Sequence, residues 1–111
     1  MTRFLFILLA LTVFSLTSSN AAIYKGQRIF IKKCLKCHKE GQNFIANYKM
    51  KKWKRLMKKK GKLLAEIHLD NEKAKKSWKY FKSKRYAKKS RHLKQFLIEY
   101  AKDSGNVPAC N

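Results

Sequence analysis

Five consecutive residues, Cys34-Leu35-Lys36-Cys37-His38, constrain this chain more than any other stretch. Two thiols two residues apart fall on one side of a single turn, and an imidazole follows directly. Such a turn lets one rigid ring be bridged through both sulfurs, with the imidazole beneath the metal at its centre. That is the attachment pattern of a c-type haem, with Cys34 and Cys37 as the thioether donors and His38 as the proximal ligand. CxxCH also occurs by chance and as half of a zinc site, so the rest of the chain has to weigh in.

The chain opens Met1-Thr2-Arg3, runs almost wholly apolar from Phe4 to Leu16, and continues Thr17-Ser18-Ser19-Asn20-Ala21-Ala22. A charged start, a short apolar run and small residues read as a secretory signal over 1–21, cut after Ala21. The apolar run is shorter than the ~20 residues of a spanning helix. No cysteine lies at the cut, so a lipoprotein is not expected. The expected location is the periplasm, where bacteria attach c-type haem. The remaining 22–111 allow one domain with a small core, for which a covalent haem or a structural metal would serve as an added centre.

Charge is the second constraint. The chain has 28 Lys and Arg against 6 Asp and Glu, a formal net charge of +22. Such a surface attracts acidic proteins or an anionic membrane, steeply dependent on salt. Nucleic acid is not expected: export argues against it, no binding motif is present, and lysine suits diffuse attraction better than bidentate recognition.

Helical periodicity runs through the rest, and no strand pattern or repeat appears. Residues 23–33 predict a short helix with Phe30 buried. Lys39 to Asn43 is turn material. Tyr48 to Lys60 predicts a basic amphipathic helix with Trp53, Leu56 and Met57 inward, broken at Gly61. Leu63, Leu64, Ile67 and His68 share one face of the next helix, and Asp70-Asn71 ends it and caps the following segment. Ala74, Trp78 and Phe81 continue a helical stripe. Ser83 to Ser90 is expected to be irregular. Arg91 to Lys102 predicts the last helix, opened by His92, with Leu93, Phe96, Leu97, Tyr100 and Ala101 on one face, Gly105 as C-cap and Pro108 as the stop.

Gly26-Gln27-Arg28-Ile29-Phe30, three residues, then Cys34-Leu35-Lys36-Cys37-His38 resembles the class I cytochromes c. With the tail from Tyr100 to Cys110, the chain is most similar to small mono-haem members of the Campylobacter and Sulfurimonas type. The resemblance implies an all-α bundle of about four to five short helices around one covalent haem c. It also implies that the last helix crosses the first near Gly26. The chain departs from the family in one respect. The sixth ligand is usually a methionine from a loop before the last helix, and Asp70 to Ser90 holds neither methionine nor histidine. The candidates left are Met50, Met57, His68 and His92. His68 is preferred because it shares the face of Leu64 and Ile67; an open, five-coordinate site for a small ligand remains the alternative.

The expected function is electron transfer between acidic redox partners, with Lys32, Lys33, Lys36 and Lys39 around the haem edge. No catalytic acid, base or nucleophile is apparent, so no enzyme is expected. A rival is a zinc-stabilised exported binding module using Cys34, Cys37 and Cys110 with His68 or His92. A thiol oxidoreductase lacks its alternating strands and helices. The basic helices also allow binding to anionic lipid. Cys110 is the odd cysteine once the other two hold haem.

Overall fold

The computed structural model describes residues 20–108, so most of the expected leader and Cys110 lie outside the described residues. The described chain is helical, with no strand among those residues. The first helix, α1, covers residues 20–33. It runs into a tight turn in which the Cys34 N–H donates to the Phe30 carbonyl at 2.9 Å and the His38 N–H donates to the Cys34 carbonyl at 2.9 Å. The CxxCH segment is therefore a continuation of α1's own coil.

Next come a 3-10 helix Gly41–Asn47, α2 Met50–Leu56, α3 Lys58–Leu69, a second 3-10 helix Glu72–Ser77, α4 Trp78–Phe81 and α5 Lys84–Glu99. The helix expected over 48–60 ends early. Lys59, Lys60 and Gly61 adopt left-handed conformations, with φ of 51°, 57° and 73°, which kink the start of α3. Position 61 also lies against α5. A Cβ there would overlap the Tyr86 hydroxyl, which donates to the Gly61 carbonyl at 2.6 Å.

The last helix starts well before the expected Arg91, at Lys84. Ser83 accepts from the Tyr86 N–H at 3.2 Å and caps it, and Tyr86, Ser90, Leu93 and Leu97 form its buried stripe. The lysines around Tyr86 mask that stripe in the sequence. His92 consequently lies in the middle of α5 rather than opening it. The stripe expected through Ala74, Trp78 and Phe81 is split between a 3-10 segment and the four residues of α4, and only Phe81 is buried. Asn71 does cap the 3-10 helix after it, accepting from the Lys73 N–H at 3.0 Å.

α1 crosses α5 at Gly26. A Cβ at that position would overlap the His92 carbonyl oxygen and lie 2.6 Å from the Phe96 Cβ. One turn on, Phe30 packs on Phe96 with ring centres 5.8 Å apart. Past α5 the chain returns to α2. The Lys102 N–H donates to the Tyr48 carbonyl at 2.9 Å, and the Met50 N–H donates to the Asp103 carboxylate at 2.8 Å. Asp103 thus supplies the side-chain acceptor that Lys49, the N-cap of α2, does not. Among the described residues no helix is long and apolar enough to cross a membrane.

Because the obstacle at Gly26 is backbone, Gly26→Ala is expected to destabilise the fold by about 2–3 kcal/mol. In thermal unfolding followed by circular dichroism this lowers Tm by roughly 10 °C or more. The same substitution at Ser104, outside the helix crossings, is expected to leave Tm within about 2 °C.

Candidate functional site

The end of α1, the first 3-10 segment, α2, α3, α4 and α5 enclose a cavity of about 490 Å³. That volume lies within the ~300–1,000 Å³ of small-molecule and cofactor pockets. Cys34, Cys37 and His38 from the end of α1 line it, as do Leu64, Ile67 and His68 from α3. Phe30, Leu93 and Leu97 extend the wall from α1 and α5, and Phe44, Trp53, Leu56 and Phe81 contribute further apolar surface.

Aromatic contacts fix the two imidazoles. His38 stacks on Phe44 with ring centres 4.0 Å apart, and Phe44 meets Trp53 edge-on at 6.4 Å. Trp53 is itself anchored, its indole N–H donating to the Ile45 carbonyl at 2.9 Å. His68 stacks on Phe81 at 4.3 Å. Its Nδ1 lies 2.7 Å from the Leu64 carbonyl oxygen. A carbonyl only accepts, so Nδ1 carries the proton and Nε2 of the neutral ring keeps its lone pair. This is the arrangement by which metal-binding histidines are oriented. The carbonyl of His68 in turn accepts from the Trp78 indole at 2.7 Å, which holds the end of α3 against α4.

The rings of His38 and His68 are 6.1 Å apart, centre to centre, with planes at 78°. Two imidazoles bound at about 2.0 Å to opposite sides of one metal ion put their ring centres roughly 6 Å apart. Burial lowers the His38 pKa, and the nearby His68 lowers it further, while Glu40 opposes both. The net direction keeps His38 neutral and its lone pair available. Among the described residues, no group of three or more Cys, His, Asp or Glu side chains is gathered to hold a metal ion. The two cysteines, both at the wall beside His38, suit covalent attachment, so the residues present fit a haem.

Burial, and then the neighbouring Cys37, push the Cys34 thiol up to about 12. A redox-active CxxC pair works by the opposite shift, toward the thiolate. Of the four candidates for a second axial ligand, only His68 lines the cavity. Met57 is buried and packs toward Gly61. His92 is buried beside Gly26, and its Nδ1 has no hydrogen-bond partner among the described residues. Of the lysines flanking the motif, Lys33 lines the cavity and Lys32, Lys36 and Lys39 do not.

Sequence reasoning misses Phe44 and the stacking role of Phe81. The Phe44-Ile45 pair just after the glycine turn is the available signal, but a 3-10 helix has no 3.6-residue period to reveal which side chain points inward.

In the folded chain produced without cofactor, a thiol-alkylating reagent at pH 7.5 is expected to modify the exposed Cys37 at least about ten times faster than Cys34. Raising the pH to 9 leaves Cys34 slow, because a thiol titrating near 12 is still protonated there. Peptide mass spectrometry reads both rates, and equal rates would contradict the burial of Cys34. No protein-family model, no curated protein and no solved structure matches this chain.

Proposed function

We propose that this chain is an exported mono-haem cytochrome c that carries single electrons between redox partners. The observation that carries this reading is a pair of imidazoles with ring centres 6.1 Å apart, both at the wall of an apolar cavity that also holds both cysteines of the CxxCH turn. Cys34 and Cys37 would attach the haem as thioether donors, and His38 and His68 would hold its iron. When bound, the haem supplies reversible one-electron chemistry.

The chain's own residues do the rest. Phe44 and Phe81 hold the two rings by stacking, and the Leu64 carbonyl fixes the His68 tautomer. Phe30, Leu56, Leu93 and Leu97 keep water from the wall they line. Two histidines, rather than histidine and methionine, favour a low potential. With both imidazoles engaged, the iron would have no position for a small molecule, which favours a carrier over a sensor or an enzyme. The leader-like start of the sequence supports export to the periplasm. The cationic surface supports encounter with acidic partner proteins and anionic membrane surfaces.

The test is an optical spectrum of protein produced by export alongside a haem-maturation system. A c-type spectrum that survives denaturation and solvent extraction is expected, without the long-wavelength methionine–iron band. Zinc in place of haem would overturn the reading. Replacement of the distal imidazole separates the ligands. His68→Ala is expected to keep the covalent haem and turn the oxidised protein high-spin. His68→Met is expected to raise the potential by roughly 0.1 V or more, within the ~0.8 V that axial ligands span. His92→Ala is expected to leave both unchanged.

A further inference from the structure

A strongly cationic concave surface lies outside the cavity, along α2. It is a groove of about 760 Å³ lined by Lys49, Lys51, Lys54, Arg55, Lys58 and Lys102. Among the described residues the only ion pair is Lys62 with Glu66, so none of these cations is matched by a carboxylate within 4 Å. Asp103, next to Lys102, is engaged by the Met50 N–H.

The groove adjoins the cavity. Tyr48 and Lys52 line both, and the Lys52 ammonium sits 3.8 Å over the Tyr48 ring. From Tyr48 the contacts run inward without a gap. Tyr48 meets Trp53 at 5.3 Å and Phe44 at 5.9 Å, and Phe44 stacks on His38. Of the lysines that the sequence places around the CxxCH turn, only Lys33 lines the cavity, and none lines the groove.

We infer that this groove docks an acidic segment of a partner protein. The inference rests on the electron-carrier reading only for the partner's being a redox protein. α2, with seven residues, is about 10 Å long. An extended peptide covers that length with about three residues, so a short run of Asp or Glu can face the row of cations. A second copy of this chain is excluded as occupant by a net charge of +22 on each molecule. A membrane is a poor match, because interfacial helices insert Trp, Phe or Leu into lipid. Here Trp53 and Leu56, the large apolar residues of α2, are turned into the core. The near-absence of arginine in the groove suits carboxylates better than bidentate phosphate recognition.

The experiment is a titration of the isotopically labelled chain with hexaglutamate at low salt, followed by amide chemical shifts. Lys51→Glu/Lys54→Glu is compared with Lys32→Glu/Lys36→Glu, which changes net charge equally. Shifts are expected to centre on residues 47–58 and 102, and the groove pair is expected to weaken binding about tenfold, the motif pair about threefold or less. If the groove pair perturbs folding, Lys49→Glu/Lys102→Glu alters the same groove from two other positions and should read the same way. Equal weakening by both pairs, or shifts centred on residues 31–40, would overturn the proposal. So would loss of binding to phosphatidylglycerol vesicles in the groove variant with hexaglutamate binding intact. Groove-centred binding by a chain found to carry no haem would leave the docking site standing and sink the carrier reading alone.

Discussion

A missing side chain at Gly26 sets the geometry of this fold. Without a Cβ, α1 approaches α5 until its backbone meets the His92 carbonyl. That contact seats Phe30 on Phe96 and aims the C-terminal end of α1 at the interior. The CxxCH turn continues from that end through the hydrogen bonds to Phe30 and Cys34. The position of both cysteines and of His38 at the cavity wall is thus a consequence of how closely two helices pack some two turns away. α5 in turn is held by its Ser83 cap, by Tyr86 on Gly61, and by the tail residues that bond Tyr48 and Met50.

The α3 wall of the cavity depends on a different set of interactions. The left-handed residues at 59–61 kink the start of α3, whose later turns place Leu64, Ile67 and His68 at the cavity. Lysine in that conformation is unfavourable, and its cost is offset by packing around Gly61 and Tyr86. Trp78 and Phe81 then brace His68 through its carbonyl and its ring. The two histidines belong to separate segments of the chain and are held by separate aromatic partners. Their 6.1 Å separation is a tertiary property that neither local segment specifies. A ligand seated between them would bind only the folded chain and so stabilise it, against the self-repulsion of so cationic a surface.

Much of this is legible in the sequence. The CxxCH spacing marks the turn that ends α1 through local backbone geometry, while the crossing at Gly26 is expected only from the resemblance carried by Gly26-x-x-x-Phe30. His68 stands out because it shares a helical face with two aliphatic residues. The differences between expectation and structure have physical causes. Lysine or arginine at 84, 85, 88, 89 and 91 obscures the Tyr86–Ser90–Leu93 stripe, so the sequence pattern begins α5 late and misplaces His92. The 3-10 segments carry no 3.6-residue period, so Phe44 escapes the pattern and the 74–81 stripe mimics one helix. The groove on α2 is invisible in sequence, since uniform lysine content says nothing about where charge becomes concave.

We propose His38 and His68 as the two ligands of one haem iron; in the folded chain their planes are nearly perpendicular at 78°. Electron paramagnetic resonance of the oxidised, export-produced protein tests it most directly, because low-spin ferric haem reports both ligand identity and the mutual angle of two imidazole planes. The account predicts a low-spin signal of the strongly anisotropic kind given by perpendicular bis-imidazole coordination, lost in His68→Ala. A high-spin signal in the unaltered protein, or a low-spin signal indifferent to His68, would contradict it.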